Sequence, residues 1–114
     1  MSILYKIMPK KEWEQAQSEG VYTGSAVDRR DGFIHLSTAH QVRETAAKHF
    51  GQQENLVLLS IDEDSLSDSL KWEISRGGAL FPHIYGALPM NAVREANSLP
   101  LKNGEHQFPQ SLIP

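Results

Sequence analysis

Two short segments bring histidine together with hydroxyl groups: Phe33-Ile34-His35-Leu36-Ser37 and Phe81-Pro82-His83-Ile84-Tyr85-Gly86. Imidazole exchanges protons near neutral pH, which suits it to general acid–base work. Side chains alternate across a strand, so His35 and Ser37 share one face while Ile34 and Leu36 share the other. In the second segment His83 and Tyr85 lie together, opposite Ile84. The run Lys71-Trp72-Glu73-Ile74-Ser75-Arg76-Gly77-Gly78 repeats the alternation, predicting Trp72 and Ile74 inward with Glu73 and Ser75 outward. Three such strands predict that His35, Glu73 and His83 point into one cavity, as its candidate catalytic groups.

Each of these residues also has a structural use. His35 can be a buried histidine satisfied by a backbone carbonyl. Ser37 precedes a helix, where serine often caps the first turn, and its hydroxyl can also meet a ligand. Trp72 fits core or pocket wall. Glu73 needs a partner if buried, either Arg76 or a lysine, or else it serves as general base or hydroxyl acceptor. Tyr85 can hydrogen-bond within the core or line the site. In Ser75-Arg76-Gly77-Gly78 the glycines let the backbone turn tightly and offer amides to an anion, and the Arg76 guanidinium can fork onto phosphate or carboxylate. The alternative is a glycine-rich strand connection with a solvated arginine. Ser37, Trp72, Arg76, Gly77, Gly78 and Tyr85 are thus the candidate ligand-binding residues. His40 and His49, nine residues apart on one helix, fall on opposite sides and are set aside. Two histidines and a carboxylate on separate strands could hold zinc, but no short-spaced ligand pair supports a metal site.

The elements that must position these groups are short and mixed. A strand is predicted from Ile3 to Met8, then a helix from Pro9 to about Glu19, closed by Gly20 in the left-handed position helices favour. Residues 21–32 read as loop, with Asp31-Gly32 turning into the first histidine strand. A second helix is predicted from about Thr38 to Phe50: Thr38 and Gln41 have capping-box spacing, and Ala39, Val42, Ala46 and Phe50 form an apolar face. Leu56 to Ile61 is nearly continuous apolar sequence, as in a central strand covered on both sides. Strands follow near residues 72–75, 83–86 and 93–99. The expected fold is α+β, one small domain over residues 1–101 with a split, mixed sheet and two main helices. Residues 102–114 read as a polar, proline-punctuated tail along the surface.

Composition narrows the function classes. The 114 residues suffice for one core, and a net charge of −3 argues against nonspecific binding to nucleic acid or anionic membrane. With no cysteine there is no thiolate catalysis and no disulfide. The start of the chain lacks an apolar signal segment and no window could span a bilayer, so a cytoplasmic location is expected. There is no Walker-type loop and no dinucleotide-type Gly-x-Gly-x-x-Gly.

Asp31-Gly32-Phe33-Ile34-His35-Leu36-Ser37, the Trp72–Gly78 run and Phe81-Pro82-His83-Ile84-Tyr85-Gly86 together resemble the signature of the bacterial family called domain of unknown function 952, from about Ile3 to Leu101. That family more distantly resembles the ADP-ribosyltransferase-like fold, a small split sheet that holds NAD in a central cleft. By order, Lys6 stands near that fold's first catalytic position, His35 at the second and His83 near the third. The transferases commonly carry His, Tyr and Glu, or Arg, Ser and Glu, so their glutamate has no counterpart unless Glu73 reaches across. The resemblance implies a histidine-lined cleft for a small anionic ligand, with NAD or an NAD-derived compound as the implied cofactor or substrate. The function expected is a small-ligand enzyme, a transferase or hydrolase acting on nucleotide-like phosphorylated compounds. A noncatalytic binding module that has lost catalytic residues is the first alternative. A two-histidine phosphoesterase is the second: Ile34-His35-Leu36-Ser37 resembles one of its motifs, and His83-Ile84-Tyr85 would be the other, with tyrosine in place of Ser or Thr.

Overall fold

A computed structural model describes residues 2–113, with the side chains of Ser67 and Arg76 outside the description. Its organising element is β4 (Leu56–Asp62), whose apolar run is buried throughout except at its last residue. Such a strand must be covered on both faces, and β4 accordingly lies between β1 (Ile3–Pro9) and β8 (Val93–Leu99). Antiparallel register sets Tyr5 opposite Ser60 and Ile7 opposite Leu58, with Leu58 opposite Asn97.

The two faces of this sheet make two cores. Leu4, Met8, Val57, Leu59 and Ile61 pack with Ala16, Tyr22, Ile34, Leu36 and Ile84 on one side. Tyr5, Ile7, Leu56 and Leu58 pack with Val42, Ala46, Leu99 and Ile113 on the other. Burial of each such aliphatic side chain contributes about 1.5–3 kcal/mol. Helix α1 (Lys10–Glu19) follows Pro9, buries Ala16 and ends at Gly20, whose φ of 81° is the left-handed conformation glycine tolerates. Helix α3 (Val42–His49) buries Val42 and Ala46 on the second core. It starts later than predicted: the Gln41 side chain accepts from the Thr38 amide, but residues 39–41 form a turn.

The predicted loop over residues 21–32 is instead a short strand and a helix. β2 (Val21–Tyr22) pairs with β7 (Leu88–Pro89), and α2 (Ala26–Asp31) starts on a full capping box between Ser25 and Asp28. At six residues it is too short to show apolar periodicity, and its charges and flanking glycines read as loop.

A second sheet carries the histidines. β3 (Ile34–His35) pairs with β6 (Leu80–Ile84), and β6 with β5 (Leu70–Ile74), which forms the outer edge. Among the described residues every strand pairing is antiparallel, so the α+β fold shows no mixed sheet there. The expected alternation in β5 holds, but its apolar side is only partly covered: Leu70 packs on the first core, while Trp72 is 41 % and Ile74 73 % exposed. The two sheets meet at a bridge between Tyr5 and Ser37, formed by hydrogen bonds of 2.8 and 2.9 Å, and diverge beyond it. The segment after Pro100 forms a small hairpin, β9 (Leu101–Lys102) with β10 (Glu105–His106), and then returns to seat Ile113 in the second core.

Candidate functional site

The divergence of β1 from β3 opens a cavity of about 430 Å³. Its floor is the edge of β1, one wall is the start of α2, the other is the end of α3, and His35 and His83 line it together. Their placement follows from register: His35 is directly opposite His83, so both imidazoles rise from one face of the second sheet with ring centres 5.4 Å apart. Phe33, two residues before His35 and on the same face, stacks on His83 at 4.3 Å.

His83 belongs to a carboxylate-held pair. The Glu73 Oε1 atom lies 3.0 Å from His83 Nδ1 and accepts a 2.7 Å hydrogen bond from the Tyr85 hydroxyl. The hydrogen bonds from His83 and from Tyr85 hold the Glu73 carboxyl below its ordinary value, and the one to Glu73 pushes the Tyr85 phenol up. A carboxylate can only accept, so His83 Nδ1 donates, and in the neutral ring Nε2 keeps its lone pair. His83 is 3 % exposed, and its Nε2 is buried with no hydrogen-bond partner.

His35 sits differently. Its Nδ1 is 2.6 Å from Asp28 Oδ1 and its Nε2 is 3.0 Å from Asp31 Oδ2. Both partners are acceptors, so only the doubly protonated ring satisfies both contacts. Asp28, 2 % exposed, also accepts from Lys6 Nζ at 3.0 Å, from the His35 amide at 3.2 Å and from the Ser25 amide at 2.9 Å. Burial alone would raise its carboxyl, but the His35 hydrogen bond, the Lys6 charge and the Ser25 amide outweigh that and hold it well below the usual range. Burial in turn draws the Lys6 ammonium below the ordinary lysine value, against the opposing pull of Asp28. Lys6 Nζ also donates to the His35 carbonyl at 3.0 Å, tying β1 to β3.

The other expected residues divide. Ser37 lines the cavity, but its backbone makes the bridge to Tyr5 and its hydroxyl is 3.0 Å from that of Thr45, so it is no helix cap. Glu73 and Tyr85 are joined to His83 without lining the cavity. Glu73 thus finds its partner in a histidine, where the sequence pointed to Arg76 or a lysine. Trp72 does not line the cavity either, since its alternation turns it to the far face of the ribbon. Gly77 and Gly78, at φ 67° and 78°, make the exposed turn from β5 to β6, closed by the Ser75 amide on the Ala79 carbonyl at 2.9 Å. They are a strand connection outside the cavity, and the Arg76 side chain proposed with them lies outside the described residues.

Asp28 and Asp31 were not anticipated, although Ser25-x-x-Asp28 has capping-box spacing and could have flagged a helix start. His49, set aside on helical spacing, lines the cavity from the end of α3. Among the described residues no cluster of three or more His, Cys, Asp or Glu is arranged to hold a metal ion. Among the same residues no helix is long and apolar enough to cross a membrane.

Residues 7–96 match the family described as "Protein of unknown function (DUF952)". No curated protein matches the chain. Among solved structures, the crystal structure of Protein CC0527 from Caulobacter crescentus is 47% identical, covering 97% of this chain and 98% of its own with a TM-score of 0.93. A double-mutant crystal form of the same protein is 46% identical over the same shares, with a TM-score of 0.92. Its solution NMR structure is 48% identical, covering 93% of this chain and 91% of its own, with a TM-score of 0.82. With the family match spanning most of the chain and the histidine segments inside it, this chain belongs to the DUF952 family.

Proposed function

We propose that this protein is an acid–base enzyme acting on a small phosphorylated, nucleotide-like compound held between the two sheets, with His83 as the group that exchanges the proton. The observation that carries this reading is the buried, partnerless Nε2 of His83 on a ring that lines the cavity. Leaving a buried polar atom unsatisfied costs about 1–3 kcal/mol, and native structures keep few such atoms without a use. Glu73 fixes the tautomer and orientation of the ring from the other nitrogen, as a base needs. His35, held between Asp28 and Asp31, is the positioning partner across the strand pair.

The substrate class rests on the split sheet. A cleft between diverging strands is what the resemblance to the ADP-ribosyltransferase-like fold implies, and NAD or an ADP-ribose compound is the first ligand to try. A second reading, the two-histidine phosphoesterase, is favoured by the cross-strand register of His35 and His83. It requires cyclic phosphodiesters to be cleaved without NAD or metal.

The test is a thermal-shift screen of nucleotides, NAD derivatives and cyclic phosphodiesters, since a ligand that binds only the folded state raises the midpoint by mass action. Turnover of the hit is then measured in His83→Gln and His35→Ala. His83→Gln lowers kcat by about a hundredfold while changing affinity less. A ligand bound tightly, never converted, and bound equally well by both variants refutes the enzyme and leaves a binding module.

A further inference from the structure

The exposed edge of β5 is self-complementary. Its residues read Leu70-Lys71-Trp72-Glu73-Ile74, a pattern whose reverse exchanges lysine for glutamate and leucine for isoleucine about a central tryptophan. Backbone direction fits the same centre. The Tyr85 amide bonds the Ser69 carbonyl and the Ser75 amide bonds the Ala79 carbonyl, so the odd-numbered residues from 69 to 75 turn their backbone groups toward β6. Leu70, Trp72 and Ile74 therefore turn theirs outward, where no strand lies, because β5 is the last strand of its sheet.

From this we infer that β5 is a homodimer interface, pairing antiparallel with β5 of a second copy about a two-fold axis at Trp72. In that register the outward groups of Trp72 meet those of the partner's Trp72, and those of Leu70 meet those of the partner's Ile74. Every outward donor faces an acceptor. Side chains directly opposite share a face, so Lys71 falls opposite the partner's Glu73 and Glu73 opposite the partner's Lys71. On the other face the two tryptophans stack, flanked by Ile74 and Leu70. This covers the Trp72 and Ile74 side chains, which the single chain leaves 41 % and 73 % exposed. It also removes an open edge, which soluble proteins otherwise protect with proline, charge or a bulge. A register shifted by one residue along either strand would set outward groups against inward ones and lose the charge match, so the pairing is specific. The two-fold arrangement closes after two copies and cannot propagate into a fibre.

The interface shares Glu73 with the proposed site, so its test reads association alone and never turnover. The full chain is run by sedimentation velocity across a concentration series, alongside Ile74→Pro, Lys71→Glu and the double variant Lys71→Glu with Glu73→Lys. Ile74→Pro removes an outward N–H that faces solvent in the single chain, which an edge strand tolerates. Wild type sediments as a concentration-dependent dimer. Ile74→Pro and Lys71→Glu each weaken it by about tenfold or more, the latter by placing like charges opposite each other. The double variant, which reverses the charges but keeps the pattern, recovers the dimer. Circular dichroism confirms that each variant is folded. A wild-type chain that stays monomeric up to about 1 mM, the weak end of measurable association, overturns the interface. So does a dimer that is indifferent to Ile74→Pro and Lys71→Glu, or a charge-reversed variant that stays monomeric.

Discussion

At the scale of single residues, Asp28 holds the candidate site together. One carboxylate, almost wholly buried, meets an ammonium, an imidazole and two backbone amides from three separate parts of the chain. Removing one partner of a buried pair leaves the other charge without compensation, at a cost of about 3–5 kcal/mol. Asp28→Asn keeps the shape and removes the charge, so chemical denaturation at neutral pH is expected to show a loss of that size. The carboxyl's folded pKa lies well below the ordinary aspartate value of 3.8, so the unfolded chain takes up the proton first as pH falls. Its stabilisation is then complete above about pH 5 and is lost progressively as acid drives the pH down toward the folded value. Wild type should lose stability through that window, and Asp28→Asn should show a flatter acid limb. An equally steep limb in the variant would place the acid-sensitive charge elsewhere.

At the scale of elements, the helix that delivers Asp28 depends on a glycine. Gly24 has φ near 110°, and a Cβ there would come within 2.9 Å of the Asp28 Cβ. Gly24→Ala must strain the backbone and push α2 away from β3 together. The expected result is a loss of about 1–3 kcal/mol in denaturation, with shifted His35 ring resonances in the NMR spectrum. Unmoved resonances and unchanged stability would show that α2 is not seated by this close approach. The same region shows where sequence reading stops. The histidine strands, α1 and β4 were legible because alternation, a glycine stop and an unbroken apolar run each reflect one physical demand. Helix α2 and its aspartate were not, because a six-residue capped turn has no period to detect. The pairing of Asp28 with His35 exists only once the intervening turn has folded back. The orientation of Trp72 failed for another reason: alternation states which residues share a face but not which face is covered.

At the scale of the whole molecule, the second core is closed by the end of the chain. Ile113 is 2 % exposed beside Val42 and Ala46, its carbonyl takes a 2.8 Å hydrogen bond from Arg43, and the same guanidinium lies 5.0 Å over the Phe108 ring. Nothing in the polar, proline-punctuated spacing of residues 102–114 announces this, since Phe108 and the adjacent pair Leu112 and Ile113 carry no periodic pattern. Ile113→Ala should cost about 2–5 kcal/mol, as for other buried aliphatic truncations, and should lower Tm measurably. A change of only a few tenths would mean that the end of the chain is draped over the core without closing it.

The bridge between Tyr5 and Ser37 gives the molecule a mechanical character. Two leaves, one built on β4 and one on β6, are riveted edge to edge between Tyr5 and Ser37 and packed face to face through the first core. A rivet resists sliding and the packed core beside it resists opening, so the gap between the leaves is a framed width. Lys6, one residue along from the rivet and bonded to the His35 carbonyl on the opposite leaf, is a tie rod across the same gap. Bonded at once to Asp28 and to the His35 carbonyl, that one ammonium is a spacer between the leaves as well as a charge.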